Sequence, residues 1–121
     1  MRRALRVLVL GAVCSSTATR PAAAEARLVV YEIEGCATCA EFRRVVLPAY
    51  WGSRQAAELP IEIVDLNALG TNGHALRHRL DVVPTFVVMA DGREIGRIEG
   101  YPGPDNFAVA IEVILTALRQ R

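Results

Sequence analysis

The pattern of hydrophobic and polar positions along this chain predicts four strands and three helices. In four segments, β-branched and aromatic residues run together or alternate with polar ones, as in buried or half-buried strands. In three others, apolar residues recur every three or four positions, as on the buried face of a helix. The predicted strands are 27–33, 61–66, 82–89 and 94–99, and the predicted helices begin at Cys36, at His74 and at Asp105 or Asn106.

Turn-forming and capping residues indicate where these elements begin and end. Pro48 is expected to kink or end the first helix, because proline cannot continue the hydrogen-bond ladder. Asn72 is suited to cap a short second helix at 74–80, in which two leucines four residues apart lie on one face and basic side chains on the other. Asp91-Gly92 is typical of a tight hairpin turn. We therefore expect the last two strands to be antiparallel neighbours.

The predicted order is β-α-β-α-β-β-α, which indicates an α/β fold. A strand–helix–strand beginning requires a crossover and parallel strands, whereas the later hairpin requires antiparallel ones. The sheet should thus be four-stranded and mixed, with helices on both faces. A chain of 121 residues, 52% of them hydrophobic, has room for one such domain.

Residues 1–24 have the composition of a cleavable secretory signal rather than of a fold. Basic residues come first, a short apolar run follows at 7–13, and Ala22-Ala23-Ala24 provides a small-residue cleavage site. The apolar run is too short to span a bilayer as a stable helix, so no permanent membrane anchor is expected. The predicted mature domain is 25–121, exported to an oxidising compartment.

Cleavage after residue 24 changes both the cysteine count and the charge. Cys14 is removed, and Cys36 and Cys39 are the cysteines that remain. The alternative is that Cys14 is lipidated. Val13 disfavours this alternative, because lipoprotein signals typically have a small residue immediately before the lipidated cysteine. Four of the 14 arginines lie in the signal with none of the 13 acidic residues, which leaves a mature net charge of about −3. Nucleic-acid binding is therefore not expected.

Cys36 and Cys39 stand at the predicted junction between the first strand and the first helix. This spacing places the sulfurs one helical turn apart, with Cys36 at the helix N-terminus, where free N–H groups and the helix dipole stabilise a thiolate. A disulfide between them would close so short a loop that it stabilises the fold by only about 2 kcal/mol. The pair therefore indicates thiol–disulfide exchange, with Cys36 as the nucleophile and Cys39 as the resolving thiol.

Other uses of the same thiols stay open at this point. They include a passive disulfide and a Cu(I) site formed by the two thiolates alone. With His74 and His78, the cysteines also imitate the two halves of a zinc motif, although the 34 residues between the halves exceed the usual spacing of about 12 to 15. Covalent haem is disfavoured because Ala40, not histidine, follows Cys39.

The element order, the cysteine pair and the Val83-Pro84-Thr85 segment before the third strand together resemble the thioredoxin superfamily, over essentially the whole mature chain. The resemblance implies a thiol–disulfide oxidoreductase that needs no cofactor beyond the Cys36–Cys39 disulfide. It also implies that Pro84 is cis and lies beside the cysteines, and that the backbone of Val83 pairs with the bound substrate. The alternative interpretation of Pro84 is an ordinary proline at a strand edge.

Three segments look like those of small periplasmic thioredoxins associated with bacterial sulfur-oxidation systems: Glu34-Gly35-Cys36, Pro84-Thr85-Phe86 and residues 92–103. This narrower resemblance implies a monomeric periplasmic protein that reduces a protein disulfide, with a sulfur-carrier protein as the candidate partner and a membrane or periplasmic thiol as electron donor. Tyr101 is the candidate substrate contact in the loop at 100–104. The same loop has an equally good interpretation as a simple connection.

The sequence also departs from ordinary thioredoxins around the cysteines. Gly35 stands where they have tryptophan, and Ala37-Thr38 replaces their Gly-Pro between the cysteines. Val30 occupies the position of their buried aspartate, the usual proton acceptor for the second thiol. The redox potential and the direction of the reaction therefore stay open, and three carboxylates are candidates for the proton acceptor: Glu32, Glu34 and Glu41.

Overall fold

The computed structural model describes residues 25–121, so the predicted signal at 1–24, with Cys14, lies outside the described residues. Within this part of the chain, no helix is long and apolar enough to cross a membrane. The strands are β1 (Arg27–Glu32), β2 (Ile61–Asp65), β3 (Thr85–Ala90) and β4 (Arg93–Glu99). The helices are α1 (Ala37–Val45), α2 (Leu47–Trp51), α3 (Arg54–Glu58), α4 (Leu66–Leu69) and α5 (Pro104–Arg119).

The four strands form one mixed sheet in the order β2-β1-β3-β4. β1 and β2 are parallel, whereas β3 is antiparallel to both β1 and β4. Asp91 and Gly92 both have positive φ, 54° and 70°, which is the backbone that a tight primed hairpin turn requires. The predicted fold class, α/β with a four-stranded mixed sheet, is confirmed.

One face of the sheet is covered by α1, α2 and α5, and we call it the helix-covered face. Its centre is aromatic: the ring of Phe42 on α1 lies 4.8 Å from that of Phe86 on β3 and 5.3 Å from that of Phe107 on α5, centroid to centroid. All three side chains are almost completely buried, and Val30 of β1 belongs to the same cluster. Helical spacing on α5 continues this core through Ile111 and Leu115, which confirms the predicted buried face of the last helix.

The opposite face is covered mainly by residues 70–82, which we call the strap. Leu76 and Leu80 of the strap pack on the second core cluster, formed by β-strand residues of this face. The predicted helix at 74–80 is wrong, because the strap has no helix and the only helix between β2 and β3 is α4. Gly70, Asn72 and Gly73 have positive φ, so Asn72 forms a turn and does not cap a helix.

The connection between β1 and β2 is more helical than the pattern predicted. The first helix stops at Val45, and Pro48 lies in the first turn of α2, where its missing N–H costs no hydrogen bond. The predicted polar connection at 52–58 contains α3, because the Ser53 hydroxyl caps it by accepting from the N–H of Ala56.

Two other element boundaries differ by a few residues from the predicted ones. β3 begins at Thr85 rather than Val82, since proline at position 84 cannot donate to a strand ladder. α5 begins at Pro104 with Gly103 as its N-cap, so neither Asp105 nor Asn106 is the cap. Proline at the first helical position is preorganised for a helix, which explains the earlier start.

Candidate active site

Cys36 and Cys39 form a disulfide at the N-terminus of α1, with their Cα atoms 5.2 Å apart. Cys36 is the N-cap of the helix and is partly exposed, whereas Cys39 lies inside the first turn and is 3% exposed. The sequence thus located the pair correctly at the strand-to-helix junction. The two sulfurs differ in access, because one faces solvent and the other faces the core.

The Sγ atom of Cys36 lies among polar groups. The N–H of Cys39 donates to it at 3.2 Å, and the Thr38 hydroxyl lies 3.5 Å away. Donors of this kind, together with the N-terminus of α1, favour the charged form of a thiol after reduction. From the sequence, Thr38 was noted only as a departure from the ordinary motif. The pattern that could have indicated this contact is a hydroxyl two residues after a helix N-cap, within reach of the side chain of the cap residue.

Val83 and Pro84 lie directly beside the cysteines. The carbonyl oxygen of Val83 is 3.9 Å from the Sγ of Cys36, and the Val83–Pro84 peptide bond is cis. Two hydrogen bonds fix this turn: the Thr85 hydroxyl donates to the carbonyl of Val82 at 2.7 Å, and the N–H of Gly100 donates to the carbonyl of Pro84 at 2.8 Å. A main-chain acceptor is therefore held next to the exposed sulfur.

Tyr101 is placed by packing rather than by a contact with the disulfide. Its ring packs edge-on against Phe42, with the centroids 6.0 Å apart, and it joins the core of the helix-covered face. Its hydroxyl is buried and has no hydrogen-bond partner among the described residues. Burial is the main cause that raises the pKa of this hydroxyl. The structure thus brings Val83 and Pro84 to the cysteines, and Tyr101 to the helix that carries them.

Of the three carboxylates considered as proton acceptors, only Glu32 points inward. Glu34 and Glu41 are exposed, whereas Glu32 is 6% exposed. Arg43 of α1 donates to Glu32 through Nε at 3.0 Å and through a second guanidinium nitrogen. This hydrogen bonding raises the pKa of Arg43, so the buried carboxylate has a charged partner one turn after Cys39.

The zinc arrangement considered from the sequence does not form. His74 lies on the strap, where its Nε2 is 3.0 Å from an Oε1 oxygen of Glu62. Glu62 pairs with Val29 in the sheet, whose side chain belongs to the core of the strap face, so this histidine lies across the sheet from α1. Among residues 25–121, no group of three or more histidine, cysteine or acidic side chains is arranged to hold a metal ion.

Comparison with solved structures finds a similar periplasmic protein. The chain is 32% identical to the periplasmic thioredoxin SoxS from Paracoccus pantotrophus, crystallised in its reduced form, with a TM-score of 0.70. The match covers 76% of this chain and 97% of the SoxS chain. Similarity therefore extends over nearly the whole length of that protein.

More distant structures share the fold alone. Thioredoxins from Malassezia sympodialis and Plasmodium falciparum both match with a TM-score of 0.58, at 16% and 17% identity. The first match covers 73% of each chain, and the second covers 75% of this chain and 82% of the other. No family model and no curated protein sequence matches this chain.

Proposed function

This chain belongs to the thioredoxin superfamily and is a thiol–disulfide oxidoreductase, and we propose that it works in the periplasm by reducing disulfides on a protein partner. One observation carries the proposal: the partly exposed Sγ of Cys36 lies at a helix N-terminus, 3.9 Å from the main-chain carbonyl of Val83. A nucleophile and a main-chain acceptor for an extended substrate segment are thus side by side. Such an arrangement favours a polypeptide as the natural substrate.

In the first step, the thiolate of Cys36 attacks one sulfur of the substrate disulfide. A mixed disulfide forms between Cys36 and that sulfur, the substrate S–S bond breaks, and the other substrate sulfur leaves as a thiolate. The N–H of Cys39 and the Thr38 hydroxyl, which lie at the Cys36 sulfur, stabilise the attacking thiolate. Val83 and Pro84 bind the substrate main chain, and Tyr101 supports the helix that carries the cysteines.

In the second step, the thiolate of Cys39 attacks the Sγ of Cys36 and breaks the mixed disulfide. The second substrate sulfur leaves as a thiolate, so the substrate has gained two electrons and the Cys36–Cys39 disulfide has formed. The structure holds this oxidised form. A membrane or periplasmic dithiol must then reduce the disulfide for another cycle. The proposed reaction uses no cofactor beyond the two cysteines.

The proposed partner is a periplasmic sulfur-carrier protein, and the proposed working form is a monomer exported by a signal at 1–24. The support is the similarity to periplasmic SoxS and the resemblance of residues 92–103 to sulfur-oxidation thioredoxins. A sulfur carrier whose cysteine becomes trapped in a disulfide is a substrate of the class that this chemistry restores.

Dithiothreitol-driven reduction of insulin tests the assignment of the two cysteines. Cys36→Ser should abolish turnover, because the attacking sulfur is gone. Cys39→Ser should also stop turnover but should accumulate a covalent complex with the substrate, because the mixed disulfide cannot be resolved. Val113→Ala, whose side chain is exposed on α5, serves as a control that keeps wild-type turnover. Full activity of Cys36→Ser would falsify the mechanism.

The same variants distinguish the physiological partner and the alternative function. Expression of Cys39→Ser in the periplasm should trap the partner as a disulfide-linked complex, which mass spectrometry identifies. Trapping of proteins other than a sulfur carrier would reject that partner while leaving the reductase activity intact. Stoichiometric copper on the reduced protein, with no disulfide exchange, would instead support a metal-binding module.

A further inference from the structure

A buried ion pair lies on the strap face, away from the redox cysteines. Glu94 and Arg97 of β4 have side chains that are 1% and 9% exposed. Nε and Nη2 of Arg97 donate to the two carboxylate oxygens of Glu94, at 2.6 Å and 2.8 Å. Glu99 adds a weaker contact at the rim, 3.5 Å from Nη1. Buried charges are costly in water-soluble domains unless they are fully paired, so this pair calls for a structural or functional reason.

The pair binds the main chain of the strap. The carboxylate of Glu94 accepts from the N–H of Arg77 at 2.8 Å. Arg97 donates to the carbonyl of Arg79 through Nη1 at 3.2 Å and to the carbonyl of His78 through Nη2 at 3.0 Å. These side chains therefore satisfy backbone groups that a helix would have satisfied internally. The two β4 side chains thus bind three main-chain groups of the strap, which contains no helix.

The anchored part of the strap leads directly into the redox site. Only three residues separate Arg79 from Val83, whose carbonyl lies 3.9 Å from the Cys36 sulfur. Beyond this point, the turn is held by the Thr85 hydroxyl and the N–H of Gly100. The segment between is only three residues long, so the carbonyls bound by Arg97 and the carbonyl of Val83 lie on one short stretch of main chain.

We propose that Glu94 and Arg97 are positioning residues, which hold the Val83–Pro84 turn where the main chain of a protein substrate can bind beside Cys36. The inference rests on the proposed function, because it concerns the recognition of a polypeptide disulfide. It assigns to the pair a role in selecting proteins over small disulfides. A small disulfide without a peptide backbone meets the Cys36 sulfur directly and makes no use of the turn.

The test removes the contacts of Glu94 and Arg97 with the strap without leaving one of the two charges buried and unpaired. Loss of Arg97 by itself would strand the Glu94 carboxylate in the core and destabilise the fold. The main variant is therefore the double change Glu94→Gln with Arg97→Gln, which is neutral and removes the forked arginine contacts to the strap. Arg97→Lys is the second variant, which keeps the charge but cannot reproduce the fork. Arg119→Gln is the matched control, an arginine paired with Glu58 on the surface between α3 and α5.

Two disulfides are compared for each protein: insulin, and 5,5′-dithiobis(2-nitrobenzoate), which has no peptide backbone. In the double variant we expect the KM for insulin to rise about tenfold with kcat little changed, since a misplaced hydrogen-bond acceptor weakens binding by about that factor. The rate at which the pre-reduced protein, without added dithiothreitol, reduces the small disulfide should change less than about twofold. Arg97→Lys should show the same selective effect at smaller size, and Arg119→Gln should show none.

An equal loss with both disulfides, or no loss with either, would overturn the positioning role. If the double variant does not fold, as judged by its circular dichroism and thermal melt, Arg97→Lys decides the question by the same two criteria. A wild-type protein that reduces neither disulfide would refute the proposed function itself. A fully active wild type with unselective variants would refute only the inference about Glu94 and Arg97.

Discussion

The two faces of the sheet are covered by different means. On the helix-covered face, α1 and α5 satisfy their own backbone hydrogen bonds and need only apolar contact, which Phe42, Phe86 and Phe107 provide. On the opposite face, the strap makes few internal hydrogen bonds, and side chains of the sheet bind its main chain instead: Glu94, Arg97 and Tyr31. Both faces bury apolar side chains, although the core of the helix-covered face is the larger of the two. The difference lies in where the backbone of the covering segment finds its hydrogen-bond partners.

The redox site lies at the seam between these two arrangements. The cysteines lie at the N-terminus of α1, which packs on the aromatic core, and Val83 directly follows the strap. Each partner in the site is thus positioned by a different set of interactions. Changes on the helix-covered face should act mainly on stability, whereas changes on the strap face should act mainly on substrate binding.

The largest expected effect comes from emptying the aromatic core. Phe107→Ala should lower the free energy of unfolding by about 3–5 kcal/mol, because it removes a ring in contact with three others and leaves a cavity. Urea denaturation followed by circular dichroism measures this loss. Val113→Ala, on the same helix but 65% exposed, is the control and should change stability by less than about 0.5 kcal/mol. Equal losses in the two variants would contradict the described core.

A smaller effect, dependent on pH, is expected on the strap face. Hydrogen bonding from Arg97 is the main cause that holds the pKa of Glu94 below its ordinary value. Since the unfolded chain then binds the proton more readily, this carboxylate contributes stability at pH values above the ordinary glutamate pKa of about 4.3. That contribution is lost as the pH falls through the lowered pKa.

Replacement of both Glu94 and Arg97 by glutamine tests this contribution. We expect a loss of roughly 1–2 kcal/mol at pH 7, and a smaller further loss than wild type when the pH is lowered from 7 to 3. Urea midpoints at a series of pH values measure both quantities. Glu62, whose pKa is also lowered, titrates in both proteins and cancels in the comparison. Parallel acid limbs for the two proteins would exclude a stabilising role of the Glu94 charge.

The smallest effect is expected from the exposed ion pair between α3 and α5. Arg119 donates to both carboxylate oxygens of Glu58, at 2.7 Å and 2.6 Å, but the pair is exposed and screened by water and salt. Arg119→Gln should leave the urea midpoint unchanged within error, in low and in high salt. A midpoint that fell clearly in low salt alone would show that this surface pair holds α5 in place.

The sequence predicted the helix-covered face well because the patterns that indicate it are formed by residues near one another in the chain. The cysteine spacing, the β-branched strands and the period of Phe107, Ile111 and Leu115 each depend on residues close together in the chain. The strap shows the opposite case. Leu76 and Leu80 were correctly expected to face apolar neighbours, yet the helix drawn through them was wrong. The groups that bind the strap backbone, Glu94 and Arg97, lie 17 to 19 residues away from the main-chain groups they contact.

The site was predictable to a similar degree. The placement of Cys36 at a helix N-terminus followed from the spacing alone, whereas Val83 and Pro84 were reached through family resemblance. Among the three candidate carboxylates, only the structure distinguishes Glu32. Alternation along β1 puts its side chain on the same face as Val30, where it pairs with Arg43. Tyr101 was expected as a substrate contact, but what the structure describes is its packing on Phe42.

Two of the groups at the Cys36 sulfur belong to the main chain, namely the Val83 carbonyl and the Cys39 N–H. Every amino acid carries a carbonyl group, so an alanine scan would pass over position 83 without removing the atom that faces the sulfur. Natural variation at this position would likewise leave the carbonyl in place. The chemistry of this surface therefore depends less on which residue stands at position 83 than on the shape of the backbone, which distant side chains determine.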